Sequence, residues 1–287
     1  MSKSALLLYN PKAGRAALGE QGLELIVERL RELEIDAEVQ HSSNGQKRRL
    51  NLAEKDLLIV CGGDGTIHDT LQDAVEAAVP VVIVPVGTAN VLARELSIPR
   101  DPLAALQVLR TGRTRKLHLG KADGRYFHLM AGVGLDGYLL RQVGPSLKRF
   151  LGVGAFWLTG FLRFWSYSMP AFQVRIGEEI HTATFAVISN SRLYGGHLRL
   201  TPRANVFDDT LDVCLFSARN HFRYLKYLWG SLRGNHLRYP DVVYRKTREL
   251  EVTGESNIVV QLDGELAGTL PRHFEMANET LEVFVPG

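Results

Sequence analysis

The sequence predicts two domains of different class. The first is an α/β nucleotide-binding domain, three-layered and Rossmann-like around a mainly parallel sheet, and the second is β-rich and sandwich-like. Three observations carry this prediction. Short, nearly unbroken apolar runs, Ser4 to Tyr9, Asp56 to Cys61 and Val79 to Val86, read as strands covered on both faces. Each ends in a polar or glycine-rich loop, and residues spaced for one helical face follow, the repeat of a doubly wound sheet. From Leu117 onward alternation and turn pairs take over, as antiparallel strands require. A chain of 287 residues divides readily into two such cores, with a boundary near residue 117, giving segments 1–117 and 118–277.

Taken in order, Ser4 to Tyr9 is followed by Asn10-Pro11-Lys12-Ala13-Gly14-Arg15 and a helix whose apolar stripe includes Leu23, Ile26, Leu30 and Leu33. Pro and Gly make a turn there whatever its use, so this loop alone does not distinguish a ligand site from a connection. Ala37 to His41 reads as a strand ending in Ser42, Ser43 and Asn44, polar groups that suit a nucleotide or a plain turn. The informative stretch is Val60-Cys61-Gly62-Gly63-Asp64-Gly65-Thr66, between a buried strand and a helix with Ile67, Leu71, Ala74, Val75 and Ala78 on one stripe. Without side chains, Gly62, Gly63 and Gly65 let backbone N–H groups approach a phosphate, and the helix N-terminus adds positive potential. Asp64 beside a phosphate is repulsive unless a divalent cation lies between them, so its economical role is to hold Mg²⁺; the plain alternative is a helix cap. Val79 to Val86 then leads to Gly87-Thr88-Ala89-Asn90, so that three strand ends face one crevice.

The second half carries a hairpin around Asp123-Gly124 and strand-like runs at Phe172 to Ile176, Thr182 to Ser189, Leu211 to Phe216, Ile258 to Leu262 and Leu281 to Val285. Helical insertions are expected at Leu147 to Trp165 and His221 to Arg233. Gly132-Val133-Gly134-Leu135-Asp136-Gly137 fits G-x-G-x-x-G but lacks the acidic residue that should bind a ribose about 20 positions on, so these glycines are read as close-packed turns near the domain junction. Asp263-Gly264-Glu265 follows an apolar strand and is either a catalytic carboxylate pair or a common hairpin turn. Asp208-Asp209-Thr210-Leu211-Asp212 offers oxygen ligands to a hard cation, or a solvated turn.

Composition excludes several classes. A net charge of +3 gives no reason to expect a nucleic-acid partner. Two cysteines make neither a disulfide framework nor a metal cluster, which fits a reducing cytoplasm. Neither a signal sequence nor an apolar run long enough to span a bilayer is present. There is no Walker A lysine motif and no kinase-type His-Arg-Asp loop. Charge is locally uneven: from Gly137 to Gly177 there are Arg141, Lys148, Arg149, Arg163 and Arg175 and no acidic residue, which points to an anionic partner surface. Leu147 to Trp165, rich in aromatics, either lies in such a bilayer or packs in the core.

Asn10-Pro11-Lys12-Ala13-Gly14, Gly62-Gly63-Asp64-Gly65-Thr66, Gly87-Thr88-Ala89-Asn90, Tyr194-Gly195-Gly196 with Asp208-Asp209 and Leu211-Asp212, and Asp263-Gly264-Glu265 occur in the order and approximate spacing of the diacylglycerol kinase catalytic-domain family. The chain resembles that family over nearly its whole length, and the compact bacterial lipid kinases most. The resemblance implies an ATP- and Mg²⁺-dependent lipid kinase with its active site between the domains. ATP would lie on Asn10, Pro11, Lys12, Ala13 and Gly14 and on Gly62, Gly63, Asp64, Gly65, Thr66, Ile67 and His68, with further contacts from Ser42 or Ser43, Thr88 and Asn90. It implies Asp263 as general base, with Glu265 orienting the acceptor, and a structural cation on the Asp209 side chain and the backbone oxygens of Val206 and Leu211. It also implies that the C-terminal strand, about residues 278–287, returns to the first domain. The acceptor would be a lipid hydroxyl at an anionic membrane surface, reached by a cytoplasmic protein in peripheral contact with the inner face. Val91 stands where an aspartate is frequent, Ala13 where serine or threonine is, His68 where asparagine is, and Thr210 where glycine is. NAD kinases share the Gly-Gly-Asp-Gly-Thr turn, so a soluble acceptor is the enzymatic rival. A catalytically weak lipid- or nucleotide-binding regulator is the rival of another class.

Overall fold

The structure is a computed structural model that describes residues 2–14, 19–42, 49–150, 162–195 and 198–287, with the backbone alone over 143–150. Ser43, Gly196 and most of the Leu147–Trp165 stretch lie outside the described residues or their side chains. The chain divides into two compact units, Met1–Leu119 with Ala277–Gly287, and Gly120–Met276.

The first unit is built of β1 (Lys3–Tyr9), α1 (Gly19–Glu32), β2 (Ile35–His41), β3 (Leu57–Gly62), α2 (Asp64–Ala77), β4 (Val81–Pro85) and three short helices, α3 (Val91–Glu95), α4 (Pro102–Ala105) and α5 (Val108–Thr111). Its strands run in the order β2-β1-β3-β4 and pair in parallel throughout, which needs a crossover between each consecutive pair. All six residues of β3 and all five of β4 are buried, the signature of central strands covered on both faces. Beneath them Ile26 and Leu30 of α1 pack against Leu7, Ile59, Val82 and Val84. Val283, from the end of the chain, pairs in parallel with Val81 of β4.

The second unit takes up the chain within β5 (Arg113–Ala122) and continues through β6 (Arg125–Phe127), β7 (Met130–Gly134), α6 (Leu135–Phe150), β8 (Phe172–Ile176), β9 (Glu179–Ala183), β10 (Phe185–Ser189), β11 (Leu211–Phe216) and α7 (His221–Arg233). Then come β12 (Val242–Thr247), β13 (Glu249–Thr253), β14 (Val259–Leu262), β15 (Glu265–Thr269) and the long β16 (Arg272–Val285). One antiparallel sheet runs β12-β11-β10-β7-β14-β15; facing it, β13 joins the first half of β16 to β8 and β9. Phe172, Val174, Leu250, Val252 and Phe274 from one layer meet Ala131, Val133, Ala186, Ile188 and Val213 from the other in a single core, which is a β-sandwich.

Several expectations change here. Gly132 to Gly137 is not a run of turns but the end of β7 running directly into α6. The glycines are close-packed all the same: a Cβ on Gly132 would stand 1.7 Å from Asp136 Oδ2, and one on Gly137 would stand 2.7 Å from Val259 O. α6 (Leu135–Phe150) overlaps only the first four residues of the helix expected at Leu147 to Trp165, most of which lies outside the described residues. Thr182 to Ser189 is two strands, since the chain breaks at Thr184, whose N–H and Oγ1 both bond Phe216 O. β12, β15 and the full length of β16 carry little regular alternation and are not among the strands expected, and β13 is not either, although its Leu250 and Val252 alternate with Glu249, Glu251 and Thr253.

Candidate functional site

In the first unit the loops after β1, β3 and β4 meet at one edge of the sheet, because parallel strands deliver all their carboxyl ends to the same side. Asn10 anchors the first loop: its N–H donates to Cys61 O (3.0 Å), its Nδ2 to Thr66 Oγ1 (2.9 Å), and its Oδ1 accepts from Lys12 N (3.0 Å). Gly14 has φ +80° and sits so close to Val86 O that a Cβ would stand 2.3 Å from it. Asn90, itself left-handed at φ 47°, donates from Nδ2 to Gly87 O at 2.8 Å.

The glycines divide by task. The space a Cβ would take on Gly62 is filled by Thr66, 2.5 Å away, and Gly63 and Gly87 pack against each other, a Cβ on Gly87 falling 2.5 Å from Gly63 Cα. These two glycines of the Gly-Gly-Asp-Gly turn are therefore needed for loop-to-loop packing. Gly65 alone faces open space, exposed in the first turn of α2, and is the position where a ligand can approach the amides of that helix end. Thr66, Ile67 and His68 are buried at 5, 2 and 6 % exposure, so Ile67 has only its backbone to offer a ligand. Ser42 closes β2 through its N–H to Tyr9 O (2.8 Å), and Pro11, Ala13 and Thr88 lie on the same set of loops.

Asp64 is placed differently from a carboxylate held out for a metal. Its Oδ2 accepts from Val91 N at 2.9 Å and its Oδ1 from Leu92 N at 3.0 Å, so it ties α2 to the start of α3. This also explains how Val91 is tolerated: the backbone N–H, not the side chain, is what Asp64 uses at that position. Asp64 is the only carboxylate on the three loops, and two of its roughly four lone-pair directions are taken. These loops thus fit a nucleotide, and they fit a divalent cation whose other ligands are phosphate oxygens and water.

In the second unit the hairpin β14–β15 closes on Asp263 and Gly264, with φ 50° and 86°, the positive pair of a type I′ turn. The Asp263 side chain is 0 % exposed. Its Oδ1 accepts from Leu129 N and Met130 N and its Oδ2 from His128 N, all at 2.9 Å, while Asp263 N returns a bond to Met130 O at 2.8 Å. His128 Nδ1 lies 2.8 Å from Oδ2. Three consecutive amides therefore fix the orientation of this carboxylate. Glu265 opens β15, partly buried.

A second carboxylate, which sequence reasoning passed over, stands behind this turn. Asp136 Oδ2 accepts from Tyr194 Oη (2.8 Å) and from Gln261 Nε2 (2.9 Å), and its Oδ1 from Gly137 N (2.7 Å). Gln261 Oε1 accepts from Gly264 N at 2.7 Å, so one buried amide links Asp136 to the Asp263 turn. Burial raises the Asp136 carboxyl above its ordinary range despite those hydrogen bonds, and burial with the Asp136 charge drives the Tyr194 phenol well up. The signal available beforehand was the glycine at 132: only a residue without a side chain leaves room for Asp136.

The acidic turn after residue 204 is balanced by protein cations. Arg248 Nη1 meets Asp209 Oδ2 at 2.6 Å and Asp209 O at 3.0 Å, and Lys246 Nζ meets Asp208 Oδ2 at 2.9 Å. Val206 and Leu211 are buried, leaving only their backbone to contribute. With the Asp209 carboxylate facing a guanidinium, a cation on this turn would compete with Arg248 for it.

The chain is similar to known proteins over nearly its whole length. Residues 4–122 match the family model described as diacylglycerol kinase catalytic domain, and residues 132–285 match that described as YegS C-terminal NAD kinase beta sandwich-like domain. A diacylglycerol kinase of Staphylococcus epidermidis is 26 % identical over 300 residues, covering 100 % of this chain and 93 % of its own. One of Bacillus subtilis is 26 % identical over 294 residues, covering 99 % and 97 %. A crystal structure of a diacylglycerol kinase from Bacillus anthracis superposes with a TM-score of 0.77 at 21 % identity, covering 99 % of this chain and 97 % of that one.

Proposed function

Because the chain belongs to the diacylglycerol kinase catalytic-domain family and is a kinase, we propose that it transfers the γ-phosphoryl group of ATP to a hydroxyl of a membrane lipid such as diacylglycerol. The observation that carries this reading is the meeting of three loops at one sheet edge, with Gly65 leaving the N-terminus of α2 open. Phosphoryl transfer asks a protein mainly for alignment and charge neutralisation, and backbone amides at a helix end supply both to the β- and γ-phosphates. Mg²⁺, when bound, neutralises phosphate oxygens, and Asp64 is the residue to hold it, directly or through water. Asp263 accepts the proton of the acceptor hydroxyl, its carboxylate held in one orientation by the amides of His128, Leu129 and Met130. Gln261 and Asp136 hold the turn that carries it.

The test is incubation of the full chain with γ-labelled ATP, Mg²⁺ and a fractionated lipid extract. Label in a lipid, abolished by a chelator and by Asp64→Asn, is the expected outcome. Label in NAD or another soluble acceptor, with none in lipid, replaces this reading with that of a small-molecule kinase. Absence of turnover on both makes the chain a binding protein.

A further inference from the structure

We infer that the solvent face of α7 is a membrane-docking surface that seats the protein on an anionic bilayer, an inference that rests on the lipid-acceptor reading above. The helix is well anchored on its inner side. Asn220 caps it, its Oδ1 accepting from Phe222 N at 2.8 Å, and Gly234 ends it in the left-handed region at φ 70°. Tyr224, Tyr227, Gly230 and Ser231 are buried beneath it, and Arg223 and Tyr227 both bond Asp241, at 2.7 and 2.6 Å.

Its outer side is apolar where a soluble helix should be polar. Phe222 is 68 % exposed, Trp229 56 %, Leu232 57 %, Leu228 40 % and Leu225 36 %. At about 100° per residue, Phe222 and Trp229 fall at the centre of one arc, with the three leucines on one flank and Lys226 and Arg233 on the other. Trp165, 41 % exposed, extends the patch: its ring meets Phe222 at 5.7 Å and stacks on His221 at 5.4 Å. Such a contiguous apolar patch marks an interaction site.

Charge decides the occupant. Between Ser217 and Pro240 there are Arg219, Lys226, Arg233 and Arg238, beside Arg223 whose charge is met by Asp241, and no acidic residue. Arg233 lies over the Trp229 ring at 4.4 Å, which keeps a cation beside the apolar centre. A second copy of the chain docking by two-fold symmetry would set this same cationic face against itself, bringing like charges to one seam. An anionic bilayer accepts both halves: the aromatic and leucine side chains enter the headgroup boundary, and the cations meet lipid phosphates. Nothing here spans the membrane, since the helix has 13 residues.

The full chain is sedimented with phosphatidylcholine vesicles without and with phosphatidylglycerol. Binding is expected to rise with phosphatidylglycerol and fall with salt. Lys226→Glu should weaken it at least about fivefold, and Trp229→Glu with Leu232→Glu about tenfold or more, with unchanged thermal unfolding. Lys226 is exposed on a capped helix, so its variant tests the surface even if the double variant fails to fold. Wild-type binding in both variants, or no binding by the wild type, overturns the proposal. So does a wild-type dimer that the double variant disperses, which would assign the face to a second copy. Phosphorylation of a short-chain, detergent-dispersed diacylglycerol separates this from the kinase reading. Variants that lose vesicles but keep that activity have lost docking alone, whereas vesicle binding through α7 with no lipid phosphorylated sinks the kinase reading and leaves the surface.

Discussion

The second unit contains the same two-residue turn twice, at Asp123-Gly124 and at Asp263-Gly264, and the two have nearly the same backbone, φ 45° and 82° against 50° and 86°. Their carboxylates live in different worlds. Asp123 is 40 % exposed at its side chain and reaches Arg272, with its Oδ1 accepting from His273 N at 3.1 Å. Asp263, fully enclosed, takes three amides of a neighbouring segment and a histidine ring. The turn chemistry thus sets the backbone, and the neighbouring strands set what the aspartate does. Both carboxylates take donors from a distant segment; what separates them is that Asp263 is enclosed and held by three consecutive amides, whereas Asp123 is open to solvent.

The largest expected effect breaks the equivalence directly. Asp263→Asn should lower turnover on the order of 10²- to 10⁴-fold, whereas Asp123→Asn should leave it within about twofold. An amide also turns an N–H toward the donors around Asp263, so unfolding in denaturant should show a loss of about 1–3 kcal/mol. Equal turnover in the two variants would make Asp263 a turn residue like its counterpart.

Next in size is Gly132→Ala. A methyl group 1.7 Å from Asp136 Oδ2 must displace that carboxylate from Tyr194 and Gln261, at a cost of roughly 1–3 kcal/mol read as a lower melting temperature. Gln261→Leu sharpens the comparison further by cutting the link between Asp136 and Gly264 N while leaving the Asp263 side chain chemically unchanged. Turnover should fall about tenfold with the KM for ATP unchanged, because a misplaced base affects transfer and not nucleotide binding. An unchanged kcat would show that the turn needs no such support.

The smallest effect is the acid behaviour of Asp123. Burial works to raise its pKa, but the Arg272 hydrogen bond, the His273 N–H and the charges of both residues outweigh it and hold the carboxyl below its ordinary value. A depressed folded pKa means stability that is complete above the unfolded value near 3.8 and is lost as pH falls through the lower folded one. Wild-type stability should therefore drop more steeply below about pH 4 than that of Asp123→Asn, by under about 1 kcal/mol, since the pair is solvent-screened. Parallel acid limbs in the two proteins would remove the Asp123–Arg272 pair from this account.

The α/β and β-rich classes were legible because hydrophobic periodicity is a property of neighbouring residues: β3 and β4 are apolar throughout, and α7 runs over the expected residues, His221–Arg233. The three loops of the first unit were legible for the same reason, since parallel topology brings successive strand ends to one edge. What each glycine and carboxylate does there was decided by contacts between segments distant in the chain. Gly62 makes room for Thr66 and Gly87 for Gly63, and Asp64 spends its oxygens 27 and 28 residues away, on Val91 and Leu92. Asp136 was hidden because its partners, Tyr194 and Gln261, lie 58 and 125 residues on. Local pattern encodes which backbone forms, whereas a carboxylate's role depends on which donors the packed sheets bring within about 3 Å of it, a distance that no spacing along the chain specifies.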